Sequence, residues 1–102
     1  MVEGEPIKIT WDKQALDSLQ AAVEYIRKDS QSNAERVKLA ILKIIYSLPT
    51  NPQKYPLDKF KKENSGNYRA FEKYSYRVSY RYTSSEIRIL RIRHVKQEPK
   101  EF

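Results

Sequence analysis

Two stretches of the chain repeat apolar residues at helical spacing, and four alternate them at the period of a strand. Leu16, Leu19, Val23 and Ile26 recur every three or four residues behind Asp12, an N-cap residue type, which predicts a first helix over about 12–28. Ala34, Val37, Ile41, Ile44 and Leu48 make a second stripe behind Ser32 and Glu35, whose S-x-x-E spacing lets each side chain cap the other's backbone N–H. Pro49 cannot continue that helix, so it spans about 32–48. The break at 29–31 is short, and the two helices are expected to pack as an antiparallel hairpin.

Ile7, Ile9 and Trp11 alternate with Lys8 and Thr10 in a short strand ahead of the helices. Three more strands are predicted after them, over 68–73, 76–83 and 86–95. Ser84 and Ser85 form a tight turn that makes the last two an antiparallel hairpin. In the middle strand Val78, Tyr80 and Tyr82 share one face, while Arg77, Ser79 and Arg81 share the other. The last strand changes parity, with Ile87 and Ile89 on one face and Leu90 and Ile92 on the other. That requires either a β-bulge near Leu90 or apolar burial on both faces. The stretch 49–66 reads as a long basic loop, either functional in itself or hiding a short helix around 57–62.

The architecture that follows is α+β, in the order β-α-α-β-β-β. A two-helix antiparallel hairpin packs on one face of a mostly antiparallel sheet, leaving the other face open for a partner. With 102 residues, the chain is a single domain over 1–102. Leu, Ile, Val and Phe make up nearly a quarter of it, enough for a core. There is no cysteine, which excludes disulfides, thiol catalysis and Cys-ligated zinc. No apolar run has the length of a membrane span, and residues 1–8 lack the apolar core of a signal peptide. A soluble cytoplasmic protein with no membrane partner is the expectation.

The charge is lopsided. Residues up to Gln53 balance to zero, and the whole net charge of +7 lies from Lys54 onward, with six of the eight tyrosines. Cations interleaved with rings suit a nucleic acid, and the same surface would attract an acidic protein. A solvated basic face with Tyr-rich strands has the same composition.

The segments WDKQALDSLQAAVEYIRKDS, SGNYRAF, YRVSYRY and EIRILRIRHVKQEP, in that order from Trp11 to Pro99, resemble the RelE/ParE superfamily of bacterial type II toxins. The resemblance implies a RelE/ParE-like fold and a cognate antitoxin encoded by a neighbouring gene. It also implies one of two targets. RelE-like members cut mRNA in the ribosomal A site, whereas ParE-like members poison DNA gyrase without nuclease activity. A ribosome-dependent mRNA endonuclease is the leading expectation and a gyrase inhibitor the alternative.

Metal-free RNA cleavage needs a base, a cation over the phosphate and a proton source. No metal or other cofactor is implied. Arg69 matches the arginine of the RelE-like G-x-x-R pattern, and its fork suits a phosphate; the alternative is a surface ion pair with Glu72 or Glu63. His94, the one imidazole, could serve as acid or base, or could simply bond its neighbours at a strand end. Lys61 and Lys62 lie roughly where RelE-like toxins carry catalytic lysines, and equally fit a solvated charge run. Arg77, Arg81 and Lys96 are candidates for phosphate or RNA binding, and the two arginines for contact with an acidic antitoxin. The chain departs from the ribonuclease patterns after the histidine. Val95 stands where some members have tyrosine, and Val95 to Glu98 includes no arginine. The antitoxin segment is expected to cover the basic sheet face or to dock on the helical hairpin.

Overall fold

The computed structural model describes residues 7–97 and 101–102. Residues 1–6, part of the stretch read for a signal peptide, and Glu98 and Pro99, which end the family resemblance, lie outside them. The order is β1 (Lys8–Trp11), α1 (Lys13–Arg27), α2 (Gln31–Ser47), a 3-10 turn (Leu48–Thr50), β2 (Tyr68–Lys73), β3 (Tyr76–Tyr82) and β4 (Glu86–His94). The four strands form one sheet in the order β1-β4-β3-β2, with β1 parallel to β4 and the rest antiparallel. Both helices pack on one face, as the two apolar stripes require.

The helix starts differ from the sequence expectation for local reasons. Asp12 occupies the N-cap position of α1 but does not cap it; its carboxylate accepts from Arg88 at 2.8 Å instead. Ser30, not Ser32, caps α2 by accepting from the Asn33 N–H at 3.1 Å. Glu35 is thereby left to face Arg27. The inner stripes hold except at one position each. Ala15 is buried and Leu16 exposed on α1, and on α2 the step after Ile41 is Ile45, with Ile44 only partly covered.

In the sheet, Leu90 is the extra residue. Tyr80 pairs with Ile89 and Ser79 with Arg91, so Leu90 has no partner and the parity of β4 reverses across it. Ile87, Ile89 and Ile92 therefore all reach the core. The β2–β3 connection is two residues, Tyr74 and Ser75, both at positive φ, as a type I′ hairpin demands. Thr83 closes the β3–β4 turn: its hydroxyl accepts from the N–H groups of Ser85 and Glu86.

No helix forms at 57–62. Leu57 instead bridges Arg69, and Asp58 N–H bonds the Tyr68 carbonyl at 2.9 Å, so the loop runs along the outer edge of β2. Asn64 then organises its end. Its side chain accepts from Gly66 and Tyr68 N–H and donates to the Tyr68 carbonyl, with Gly66 at a φ of 109° that a side chain would rarely tolerate.

Candidate functional site

Register and alternation gather five arginines on the sheet face away from the helices. Arg77 pairs with Arg93, Arg81 with Arg88, and Ser79 with Arg91, while Val78, Tyr80, Ile89 and Ile92 point into the core. This face is not open, contrary to the sequence expectation. After Leu57 the loop turns under β2 and drives Asp58 into the arginine row, and the Phe60 ring lies against the Arg77 guanidinium at 4.9 Å. Phe102 closes more of the surface, because its N–H and C=O pair with Phe60 and Lys62.

Arg77, expected to bind phosphate, is committed to the fold. One of its terminal nitrogens reaches Asp58 at 3.1 Å and the other Glu72 at 2.9 Å. Arg81 stays partly exposed, with its guanidinium 6.0 Å from the Tyr68 ring centroid. Burial, followed by the neighbouring charges of Arg93 and Arg77, pushes the Arg91 guanidinium below its ordinary value. Among the described residues, Arg77 Nε, Arg93 Nη1 and Asp58 Oδ2 are buried without a hydrogen-bond partner. Arg77 and Arg93 line a small cavity of about 90 Å³ with Lys59, Phe60, Glu72 and His94.

Arg69 lies on the opposite, helix-side face. Its guanidinium donates to three backbone carbonyls, those of Gly66 (3.2 Å), Gln53 (3.3 Å) and Tyr55 (2.9 Å), and sits near the Tyr82 ring. It is a clamp on the long loop, paired with neither Glu72 nor Glu63. His94 closes the other end of β4. Its Nδ1 accepts from Lys96 N–H at 3.0 Å, which puts the neutral ring's proton on Nε2, and the ring packs edge-on against Tyr76. Lys96 itself is exposed in the turn beyond.

The four residues expected to cleave RNA are therefore not brought together. Arg69 aligns with Tyr80 and His94 with Tyr76, four residues along and two strands across. That is a separation of about 16 Å between backbones, with core residues Phe71 and Val78 between them. Lys61 belongs to the face away from the helices, its ammonium 4.7 Å from the Tyr68 centroid, and Lys62 is exposed beside it. What does converge is Arg77, Arg93, Glu72 and Asp58, with His94 at the margin. Arg93 was legible in the sequence through the alternation of arginine with Ile92. Asp58 carried no signal, since its burial depends on a loop path that no periodicity encodes.

Among the described residues, no group of three His, Cys, Asp or Glu could hold a metal ion, and no helix is long and apolar enough to cross a membrane. On the helical side, Trp11, Leu16, Leu19, Val23, Leu42 and Tyr46 line an open groove along the hairpin.

No curated relative matches the sequence. Solved structures do match the fold. The chromosomal ParDE toxin–antitoxin system from P. aeruginosa includes a chain 19% identical, with a TM-score of 0.69 over 89% of this chain and 98% of that one. The YoeB dimer from Staphylococcus aureus matches at 17% identity and a TM-score of 0.59, over 87% and 97%. The YoeB–YefM complex from the same organism gives 18% and 0.54, over 86% and 95%. The model of the ParE toxin of the type II toxin–antitoxin system parDE matches residues 9–99. With the family model matching residues 9–99 and the fold shared over nearly the whole chain, this protein belongs to the ParE toxin family of the RelE/ParE superfamily, the toxin half of a type II toxin–antitoxin pair.

Proposed function

We propose that this toxin arrests growth by binding its target rather than by cutting RNA, in the manner of ParE-like members, with DNA gyrase as the target. The observation that carries this reading is the dispersal of the cleavage candidates: Arg69 is spent on three loop carbonyls, and His94 lies at the other end of the sheet. Cleavage by the neighbouring 2′-OH needs its proton-transfer groups and its cation within hydrogen-bond reach of one phosphate. The family match to ParE supports the same choice. A ribosome-dependent mRNA endonuclease has one observation in its favour, the cavity where Arg77, Arg93 and His94 meet.

Two assays on one preparation separate the readings. Purified protein added to gyrase and plasmid should block supercoiling and trap broken DNA. Primer extension on mRNA from translating ribosomes should yield no new 5′ ends. New 5′ ends together with intact gyrase activity would overturn the proposal.

The antitoxin is proposed to dock on the groove of the helical hairpin rather than on the basic sheet face. That groove carries exposed Leu16 and Tyr46, whereas the loop and Phe102 already cover much of the sheet face. A toxin of this fold forms the YoeB–YefM complex. Leu16→Asp should abolish capture of the antitoxin encoded by the neighbouring gene, and Arg81→Ala should leave it intact.

A further inference from the structure

The β2–β3 turn carries a tyrosine where turn chemistry asks for asparagine or glycine. A two-residue turn with both φ values positive favours Asn-Gly, because a bulkier side chain crowds its own backbone in the left-handed region. Here the two positions are Tyr74 and Ser75, at φ of 50° and 68°. Burial does not offset the misfit, since the Tyr74 ring is 47% exposed and outside the core cluster. The ring is nonetheless held in place. The Lys73 ammonium lies 4.7 Å from its centroid and the Arg36 guanidinium of α2 lies 5.7 Å from it. Arg36 is itself steadied by donating to Asn33 Oδ1 at 2.6 Å. Val95 N–H donates to the Ser75 carbonyl at 2.8 Å, which ties the turn to the residue after β4 and sets the exposed Val95 beside it.

We infer that the β2–β3 tip, with Tyr74 at its centre, Val95 beside it and Lys73 and Arg36 on its rim, is the surface that grips the toxin's target, and that the matching surface of the target is an acidic patch of protein. The inference rests on the proposed protein target, gyrase, and names the part of the toxin that meets it. Backbone strain at an exposed position persists where the residue serves something other than the fold. A tyrosine already fixed in one orientation loses little freedom on binding, and an apolar centre within a charged rim is the anatomy of a protein interface. The rim here is cationic. Arg36 bonds a neutral amide, and among the described residues neither it nor Lys73 enters an ion pair, so carboxylates are the groups that complement them. None of the four residues lines the groove along the helical hairpin, which keeps the target surface distinct from the antitoxin's.

The test gives the turn the residues it prefers. Combining Tyr74→Asn with Ser75→Gly should raise the urea midpoint of unfolding at constant slope, because the strain is relieved. The same double variant should need roughly thirtyfold more protein for half-inhibition of gyrase supercoiling, the smallest loss expected for a hot-spot side chain. Lys73→Glu, which sets like charge against the carboxylates, should weaken inhibition about tenfold. Both variants should still capture the antitoxin encoded by the neighbouring gene. A lower urea midpoint for the double variant would mean that Tyr74 serves the fold, and would overturn the inference. Undiminished inhibition by either variant, or loss of antitoxin capture, would overturn it as well. Growth arrest on induction without the antitoxin keeps this separate from the choice of target. Wild-type protein that arrests growth and leaves gyrase active overturns the gyrase reading, whereas a folded double variant that arrests growth as wild type does overturns the tip.

Discussion

The Asp58 carboxylate, wholly sealed from solvent, lies 3.1 Å from the guanidinium of Arg77, whose side chain is 11% exposed. A loop acid and a central-strand base are thus locked together where only one of them has a second anionic partner, Glu72, at the surface. Removing Asp58 takes away the buried partner of the Arg77 guanidinium and leaves it only Glu72 at the surface. Asp58→Ala should lower the unfolding free energy by about 3 kcal/mol, the lower end of the cost of breaking a buried pair. Glu72→Gln, at the half-exposed end of the same network, should cost under about 1 kcal/mol. Urea unfolding midpoints at constant slope measure both.

Arg69 holds the long loop by three carbonyls at once, so its loss should be structural before it is functional. Arg69→Ala is expected to cost about 1–3 kcal/mol, the penalty of stranding partly buried acceptors. Arg69→Lys should recover little, because a single ammonium cannot span the fork. Hydrogen exchange should quicken at the amides of Gly66 and Tyr68, which depend on the same loop geometry.

Thr10 on β1 donates to the Glu86 carboxylate at 2.7 Å, and Arg88 donates to it at 3.2 Å. The Thr10 hydrogen bond chiefly, helped by Arg88 and Arg81 and opposed by burial, holds this carboxyl below its ordinary value of 4.5. A depressed folded value means that the stabilisation is present above about pH 4.5 and is lost as the pH falls through the folded value. Thr10→Val should move the Glu86 titration upward and flatten the acid limb of the stability profile. Carboxyl-carbon NMR titration reads the first effect and acid denaturation the second.

Leu90 is the unpaired residue of the bulge, so deleting it should leave the pairs on either side, Tyr82–Ile87 and Val78–Ile92, in register. Deleting Arg88 instead reverses the parity of one part of β4 against its neighbours and sends apolar side chains to the arginine face. The first deletion should fold, with a cooperative melt near that of the full chain. The second should not, as thermal denaturation will tell.

Local pattern was enough for the architecture. Apolar stripes at 16–26 and 34–48, the Ser84–Ser85 turn and the parity break at Leu90 each depend on residues close in sequence, and each imposes its element through burial of one face. The resemblance to RelE/ParE toxins was likewise carried by contiguous segments. Tertiary structure decided the site. Whether Arg69 meets a phosphate or three carbonyls depends on the path of an aperiodic loop, and that path follows from Leu57 pairing along β2. The pairing of Arg77 with Asp58 spans nineteen positions, and the contact of Phe102 with Arg91 joins the chain's last residue to a central strand. Charge counts identified a cationic half, but strand register determines which arginines share a face, and burial determines which of them remain available to a partner.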